Sequence, residues 1–301
     1  MAIVKKWHSM VAERNYGELA TNVQAALATI ESTPGVSKPD PILVADGVRR
    51  HFGGVVAVDV SHIEVQRGSI TALIGPNGAG KTTLFNLLSG FDKPDVGEWR
   101  FDGHNMSRVA AHQTASMGMV RTFQLTKSLT KMSVIENMKL GAMHQVGEKW
   151  WNGLLPYLWR SQEKKIEERA DALLKRFNMD HMRNEYAGTL SGGQRKLLEM
   201  ARALMTEPRL VMLDEPMAGV NPALKQNLNE HIRGLRDDGM TVLFVEHDMD
   251  MVNDVADWVV VMSEGVVIAE GTPSQISNNE KVVEAYLGLH QGSSLLDEVQ
   301  I

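Results

Sequence analysis

The chain has 301 residues, a formal net charge of −6 and an ordinary globular composition with 43% hydrophobic residues. The length allows one large α/β domain or two small ones with a sizeable core, and the acidic balance argues against a protein that binds nucleic acid mainly through charge. The sequence contains no cysteine, which excludes disulfides, thiol catalysis and cysteine-ligated zinc and fits a cytosolic protein.

The start of the chain predicts no signal peptide, because the two lysines of "MAIVKKWHSM" are not followed by an apolar segment. No apolar run approaches the roughly 18–20 residues that a membrane-spanning helix requires. We therefore expect a protein that is soluble or that reaches the membrane through other subunits.

Residues 8–31 carry apolar side chains at helical spacing, and the Pro-rich stretch "ESTPGVSKPDP" that follows indicates a linker. We place a boundary near Pro41, so that residues 1–41 form an N-terminal amphipathic helix on a tether. Three interpretations of this helix stay open. It packs on the chain's own globular domain, it docks on a partner or a membrane surface, or it is disordered.

Beyond this boundary, β-branched runs alternate with helical patterns. Residues 259–273 predict two strands of a hairpin around Glu264 and Gly265, and residues 165–178 predict a helix. Short apolar segments bounded by turn residues have the pattern of parallel strands buried on both faces, and they lie at 69–75, 209–215 and 240–246.

The segment "GPNGAGKTT" matches the phosphate-binding loop G-x-x-x-x-G-K-[ST] between a strand and a helical stretch. Its glycines allow backbone N–H groups to wrap phosphates, and the following helix N-terminus favours an anion. Lys81 is expected to reach the β- and γ-phosphates of a nucleotide, and the Thr82 hydroxyl to ligate Mg²⁺. The predicted nucleotide-binding residues of this loop are Gly75, Pro76, Asn77, Gly78, Ala79, Gly80, Lys81, Thr82 and Thr83.

Two adjacent carboxylates end the apolar segment "RLVMLDE". Asp214 at the strand tip is suited to hold Mg²⁺, whereas Glu215 points elsewhere and is suited to accept a proton from an attacking water. The alternative is a pair of charges at a strand end that are neutralised by lysine or arginine.

These segments, together with "LSGGQRKLLEMARAL" at 190–204 and a later "VEHD", resemble the nucleotide-binding subunit of ABC transporters in order and spacing. The resemblance covers about residues 42–288 and leaves 289–301 as a C-terminal tail. It implies an α/β P-loop NTPase fold: a RecA-like core, an antiparallel β subdomain and an inserted α-helical signature subdomain at about 125–203.

The resemblance also implies roles outside the phosphate loop. Phe52 would stack on adenine, with a core phenylalanine as the alternative. Gln124 would sense Mg²⁺ and the γ-phosphate and couple to the membrane partner, so the implied metal ligands are Thr82, Gln124 and Asp214. His247 would contact the γ-phosphate and join Glu215 and Gln124 as a catalytic residue. The signature residues, which would face the ATP of an opposite subunit, are Ser191, Gly192, Gly193 and Gln194.

Local strings such as "VRTFQ", "SVIENMKLG" and "VVEAYLG" resemble the ATPases of importers for branched-chain and other hydrophobic amino acids. Asn221, where the wider family has Asp, would mark this subgroup. The resemblance implies ATP and Mg²⁺ as cofactors and a peripheral place on the cytoplasmic face of the membrane. The implied partners are membrane permease subunits, a second ATPase subunit that is a paralogue rather than a copy, and a solute-binding protein, with no nucleic acid.

Several alternatives remain. A urea or amide importer and a lipopolysaccharide exporter use similar ATPases, and a soluble ABC ATPase acting on nucleic acid and a phosphotransferase are competing classes. The N-terminal extension and the tryptophan-rich segment "KWWNGLLPYLWR" at 149–160 depart from the importer subgroup. The latter either covers the helical subdomain or contacts membrane subunits or lipid headgroups.

Overall fold

The computed structural model describes residues 16–122, 129–143 and 156–286. Helices bounded within these ranges are α1 (Tyr16–Ala28), α2 (Lys81–Leu88), α3 (Ala111–Ser116), α4 (Val134–Lys139), α5 (Pro156–Arg176), α6 (Gly192–Leu204), α7 (Pro222–Asp237), α8 (Met249–Val255) and α9 (Pro273–Ser277). Strands are β1 (Pro41–Phe52), β2 (Val55–Gln66), β3 (Ile70–Ile74), β4 (Val96–Phe101), β5 (His104–Asn105), β6 (Met119–Arg121), β7 (Leu210–Asp214), β8 (Thr241–Val245), β9 (Trp258–Ser263) and β10 (Val266–Gly271).

The larger sheet has six strands in the order β10-β9-β3-β8-β7-β6. All of its pairs are parallel except the edge hairpin of β9 and β10. Strands β3, β7 and β8 are buried along their whole length, as expected for a sheet covered on both faces. The three predicted strands and the predicted hairpin are therefore confirmed. Both hairpin turn residues have positive φ, 50° at Glu264 and 83° at Gly265, as a type I′ turn requires.

The smaller sheet is antiparallel, with the order β2-β1-β4-β5. Its buried face, which includes Trp99 and Phe101, shares one apolar core with Leu84 and Phe85 of α2. The sheet is the antiparallel β subdomain that the resemblance implies, and it lies directly against the helix that follows the phosphate loop.

Helices α4, α5 and α6 pack on one another. Their apolar side chains, among them Met138, Leu174 and Leu198, share a core with the other face of the larger sheet. With this helical layer, the predicted α/β fold with a helical subdomain is confirmed, while its boundaries at about 125 and 203 stay predictions.

The segment between α1 and β1, which its composition predicts to be a linker, is held against the domain. Leu27 of α1 is 1% exposed and lies in the core that contains β1. Further along, the buried carboxylate of Glu270 accepts a hydrogen bond from Val36 N at 3.1 Å and from Trp258 Nε1 at 2.9 Å, and it pairs with the Lys38 ammonium. The described part of the N-terminal region thus packs on the chain's own domain, because a buried carboxylate binds its backbone.

Candidate nucleotide-binding site

The register of the larger sheet brings three strand ends to one level. Leu73 of β3 and Asp214 of β7 both pair with Val245 of the intervening β8. The phosphate loop, Glu215 and Glu246, which follow these three strands, therefore lie at the same edge of the sheet. Carboxyl ends of parallel strands are where ligands bind in open α/β sheets.

The backbone of the phosphate loop passes close to neighbouring main chain. A Cβ on Gly75 would lie 2.1 Å from Met262 O, and one on Gly80 would lie 2.4 Å from Ala57 O. Both glycines have positive φ, 147° and 94°, which a side chain would strain. Glycine is required at these two positions because a side chain would collide with the neighbouring main chain.

Lys81, the first residue of α2, contacts the start of this loop with its side chain. Its Nζ donates to Gly75 O at 2.6 Å and to Pro76 O at 2.8 Å. Burial lowers the pKa of Lys81, and the negative charge of Glu215 opposes this shift. Gly78 and Thr82 are exposed beside the first turn of α2, whose N–H groups have no intrahelical acceptors. A lysine, a helix N-terminus and an exposed glycine loop together fit a polyphosphate.

Asp214 forms a buried ion pair with a partner, Arg121, that the sequence did not identify. Arg121 Nη2 lies 2.7 Å from Asp214 Oδ2, and the two side chains are 7% and 10% exposed. Arg121 also donates to Asn86 Oδ1 at 2.6 Å and to Ser89 Oγ at 3.0 Å, both contributed by the α2 segment. Asp214 therefore has the arginine partner that the alternative expects, and the pair joins β6, β7 and α2. Its role toward Mg²⁺ stays a prediction. The only sequence signal for Arg121 is its place in "VRTFQ".

Glu215 adopts a left-handed backbone with φ of 45° and is partly buried. Its N–H donates to Val245 O at 3.0 Å. Lys196 of α6 donates from Nζ to the carbonyls of Glu215 and Pro216 at 2.9 and 3.0 Å. Burial lowers the pKa of Lys196, and Glu246 provides the strongest opposing negative charge. The loop after β7 is thus fixed by a side chain from the signature helix.

Glu246 and His247 follow β8 and point to different environments. Glu246 is 1% exposed and accepts hydrogen bonds from Met217 N at 2.8 Å and His247 N at 3.1 Å. The His247 side chain is 66% exposed, and its Nδ1 lies 3.8 Å from Glu246 Oε2. The imidazole is therefore accessible to a ligand at the sheet edge, while the adjacent carboxylate fixes the backbone.

The signature residues form the N-terminus of α6. Ser191 Oγ accepts a hydrogen bond from Gln194 N at 3.3 Å, and Gln194 Oε1 accepts one from Ser191 N at 2.8 Å, which is a capping box. Gly193 lies so close to α7 that a Cβ would be 2.2 Å from Leu224 Cδ2. Ser191 and Gly192 are exposed. This helix end offers backbone N–H groups to an anion outside the chain.

Asn221 caps α7, since its Oδ1 accepts a hydrogen bond from Leu224 N at 2.9 Å. Asn is among the best N-cap residues. The structure thereby gives a local reason for the residue that sequence analysis treats as a subgroup mark.

Phe52 is 51% exposed at the end of β1, so the alternative of a core phenylalanine is wrong. The guanidinium of Arg50 lies 4.9 Å from its ring centroid. Gln124 and most of the tryptophan-rich segment 149–160 lie outside the described residues.

Within the described ranges, no group of three or more His, Asp or Glu residues has the arrangement of a metal site. Across the same ranges, every helix is too short or too polar to cross a membrane.

The chain is similar to known proteins over most of its length. The ABC transporter family matches residues 58–218, and the branched-chain amino acid ATP-binding cassette transporter family matches residues 266–290. The chain is 40% identical over 250 residues to the high-affinity branched-chain amino acid transport ATP-binding protein BraF of Pseudomonas aeruginosa. The aligned region covers 82% of this chain and 98% of the relative. It is 42% identical over 247 residues to a probable branched-chain amino acid transport ATP-binding protein LivG of Archaeoglobus fulgidus, with coverage of 82% and 95%.

Solved structures agree with these relatives. A nucleotide-free ATP-binding cassette from an ABC transporter superposes with a TM-score of 0.71 at 37% identity, covering 82% of this chain and 98% of the other. The ADP conformation of an ATP-binding cassette gives a TM-score of 0.72 at 38% identity, with coverage of 82% and 99%.

Proposed function

The chain belongs to the ABC transporter ATP-binding family, and from that membership we propose that it binds and hydrolyses ATP to power a branched-chain amino acid importer. The observation that carries the ATPase assignment is the convergence of the phosphate loop and Glu215 at one sheet edge, close enough that the charge of Glu215 acts on Lys81. The importer assignment follows from the relatives, whose names specify branched-chain amino acid transport.

The phosphate loop binds the polyphosphate through its backbone N–H groups. On binding, Lys81 exchanges its hydrogen bonds to Gly75 O and Pro76 O for the β- and γ-phosphate oxygens. Its partial burial strengthens this attraction, because charges interact more strongly away from water. Phe52, exposed at the end of β1, provides an aromatic surface for the adenine ring.

Glu215 accepts the proton of the water that attacks the γ-phosphoryl group. His247 contacts the γ-phosphate from the exposed end of β8. Thr82, Asp214 and Gln124 would hold Mg²⁺, and a bound Mg²⁺ would supply positive charge to the phosphate oxygens. Arg121 keeps the Asp214 carboxylate in one orientation through their buried ion pair.

The complete site needs a second ATPase subunit, because the exposed capping box at Ser191 is suited to the γ-phosphate of an ATP molecule bound to another subunit. We propose a paralogous ATPase as that subunit. The pair associates peripherally with permease subunits on the cytoplasmic face of the membrane and receives the amino acid through a solute-binding protein. A urea or amide importer and a lipopolysaccharide exporter are the alternative systems.

Glu215→Gln in the full chain, assembled with its partner ATPase and permeases, tests the mechanism. Nucleotide binding should persist, ATP turnover should fall by at least about 100-fold because the general base is lost, and a closed dimer should accumulate. Glu168→Gln, an exposed substitution on α5, is the matched control and should turn over ATP normally. Undiminished turnover in Glu215→Gln would show that another group is the base.

Uptake of labelled leucine by vesicles that contain the complete complex and its solute-binding protein tests the importer assignment. ATP-dependent leucine uptake is the expected result. Uptake of urea alone, or stimulation of the ATPase only by lipopolysaccharide, would assign the chain to one of the alternative systems.

A further inference from the structure

We propose that Lys196 is a positioning residue for ATP hydrolysis, which holds the backbone of Glu215 and ties it to the signature helix. This inference rests on the proposed function, since it concerns the placement of the general base. It assigns a role to a side chain that would itself contact neither the nucleotide nor the attacking water.

The contacts of Lys196 are unusual for a lysine in an acidic neighbourhood. Its Nζ donates to two successive main-chain carbonyls, Glu215 O at 2.9 Å and Pro216 O at 3.0 Å. Hydrogen bonds from a charged donor are stronger than those between neutral groups. The Lys196 side chain therefore binds the peptide groups of the turn, and this binding does not depend on the side chains that the turn carries.

The backbone conformation of this turn requires stabilising contacts. Glu215 is a non-glycine residue at φ of 45°, a conformation that persists only where surrounding contacts hold it. Lys196 binds the carbonyl side of this turn, and the buried Glu246 binds its N–H side by accepting from Met217 N at 2.8 Å. Without Lys196, the backbone at Glu215 can relax toward an ordinary conformation, which redirects the carboxylate.

The same helix contacts the loop at its other end. Gly193 of α6 lies against Leu224, at the start of α7, while Lys196 holds the start of the loop. Signature helix and loop therefore form one unit across residues 215–224. When Ser191 is displaced by contact with the nucleotide bound to the partner, α6 moves and Lys196 moves with it. Lys196 therefore couples the signature residues, which belong to the partner's ATP site, to Glu215, the general base of the chain's own ATP site.

Lys196→Met and Lys196→Arg, each in the full chain assembled with its partner ATPase, test this role. Methionine keeps most of the length and the apolar stem, so we expect kcat for ATP to fall by about 100-fold, the scale of a misplaced catalytic group. Nucleotide affinity should stay within about twofold of wild type. Arginine can donate to both carbonyls and should recover most of kcat. Lys164→Met, at a side chain that is 81% exposed, is the control.

Hydrogen exchange of the amides in residues 215–221 separates positioning from overall stability. In wild type, adding ATP to the complex should slow this exchange, and Lys196→Met should abolish the slowing while its melting temperature stays near that of Lys196→Arg. Normal kcat in Lys196→Met, or equal losses in the methionine and arginine variants, would overturn the role of Lys196. Absence of turnover in the unmodified complex would instead overturn the proposed function, and this role with it.

Discussion

The buried pair of Lys38 and Glu270 yields a quantitative prediction for the N-terminal region. Their side chains are 1% and 0% exposed, and the carboxylate also accepts hydrogen bonds from Val36 N and Trp258 Nε1. Glu270→Gln keeps the shape but leaves the Lys38 ammonium buried without its counter-charge. Removing one partner of such a pair typically costs about 3–5 kcal/mol of unfolding free energy.

Urea unfolding followed by tryptophan fluorescence measures this loss, because Trp258 lies within the affected cluster. Limited proteolysis should show earlier cleavage within residues 31–40, whose backbone the carboxylate binds. Lys38→Met combined with Glu270→Gln should recover part of the loss, because the uncompensated charge is then gone.

The exposed pair of Lys164 and Glu168 provides the control. These side chains are 81% and 64% exposed, so Glu168→Gln should leave the urea midpoint unchanged. An unchanged midpoint in Glu270→Gln would refute the reasoning, since it would mean that Lys38 finds water or another partner at no cost.

Two further predictions concern α7. Burial lowers the pKa of His231 below its ordinary value of 6.5, so the unfolded chain binds a proton more readily. Wild-type stability should then fall as the pH drops below 6.5 toward the lower folded value, and His231→Phe, which keeps a ring beside Phe177, should flatten this dependence in urea titrations. Asn221→Ala should lose about 1 kcal/mol through the missing cap, whereas Asn221→Asp should match wild type in thermal unfolding. Equal stability of both Asn221 variants, or an unchanged pH slope in His231→Phe, would contradict these assignments.

Features of the molecule that depend on neighbours in the chain were predictable from sequence. The phosphate loop, the buried strands and the hairpin each consist of consecutive residues whose pattern follows from their own backbone geometry. The separate roles of Asp214 and Glu215 stay predictions, and the strand alternation behind them does not extend to Glu215, because β7 ends at Asp214 and Glu215 has a left-handed backbone.

Features that depend on distant partners were not predictable. Arg121 reaches Asp214 across 93 positions of sequence, and nothing in either segment specifies the other. The acceptors of Lys196 are backbone carbonyls, which leave no complementary side chain to detect. The Pro-rich segment before β1 has the composition of a linker, and it is fixed by distant groups that include the buried Glu270 and Glu64.

The turn between β9 and β10 contacts its surroundings through main-chain atoms. Gly265 N donates to Ala79 O in the phosphate loop at 3.0 Å, and Gly265 O accepts from Asp59 N of β2 at 2.8 Å. Asp59→Ala would remove the exposed ion pair with Arg49 but would leave the backbone hydrogen bond to Gly265 in place. The junction that joins nucleotide loop, hairpin and β subdomain is therefore held by peptide groups, which side-chain truncation does not test. Replacing the donor amide of Asp59 with an ester would reveal its contribution.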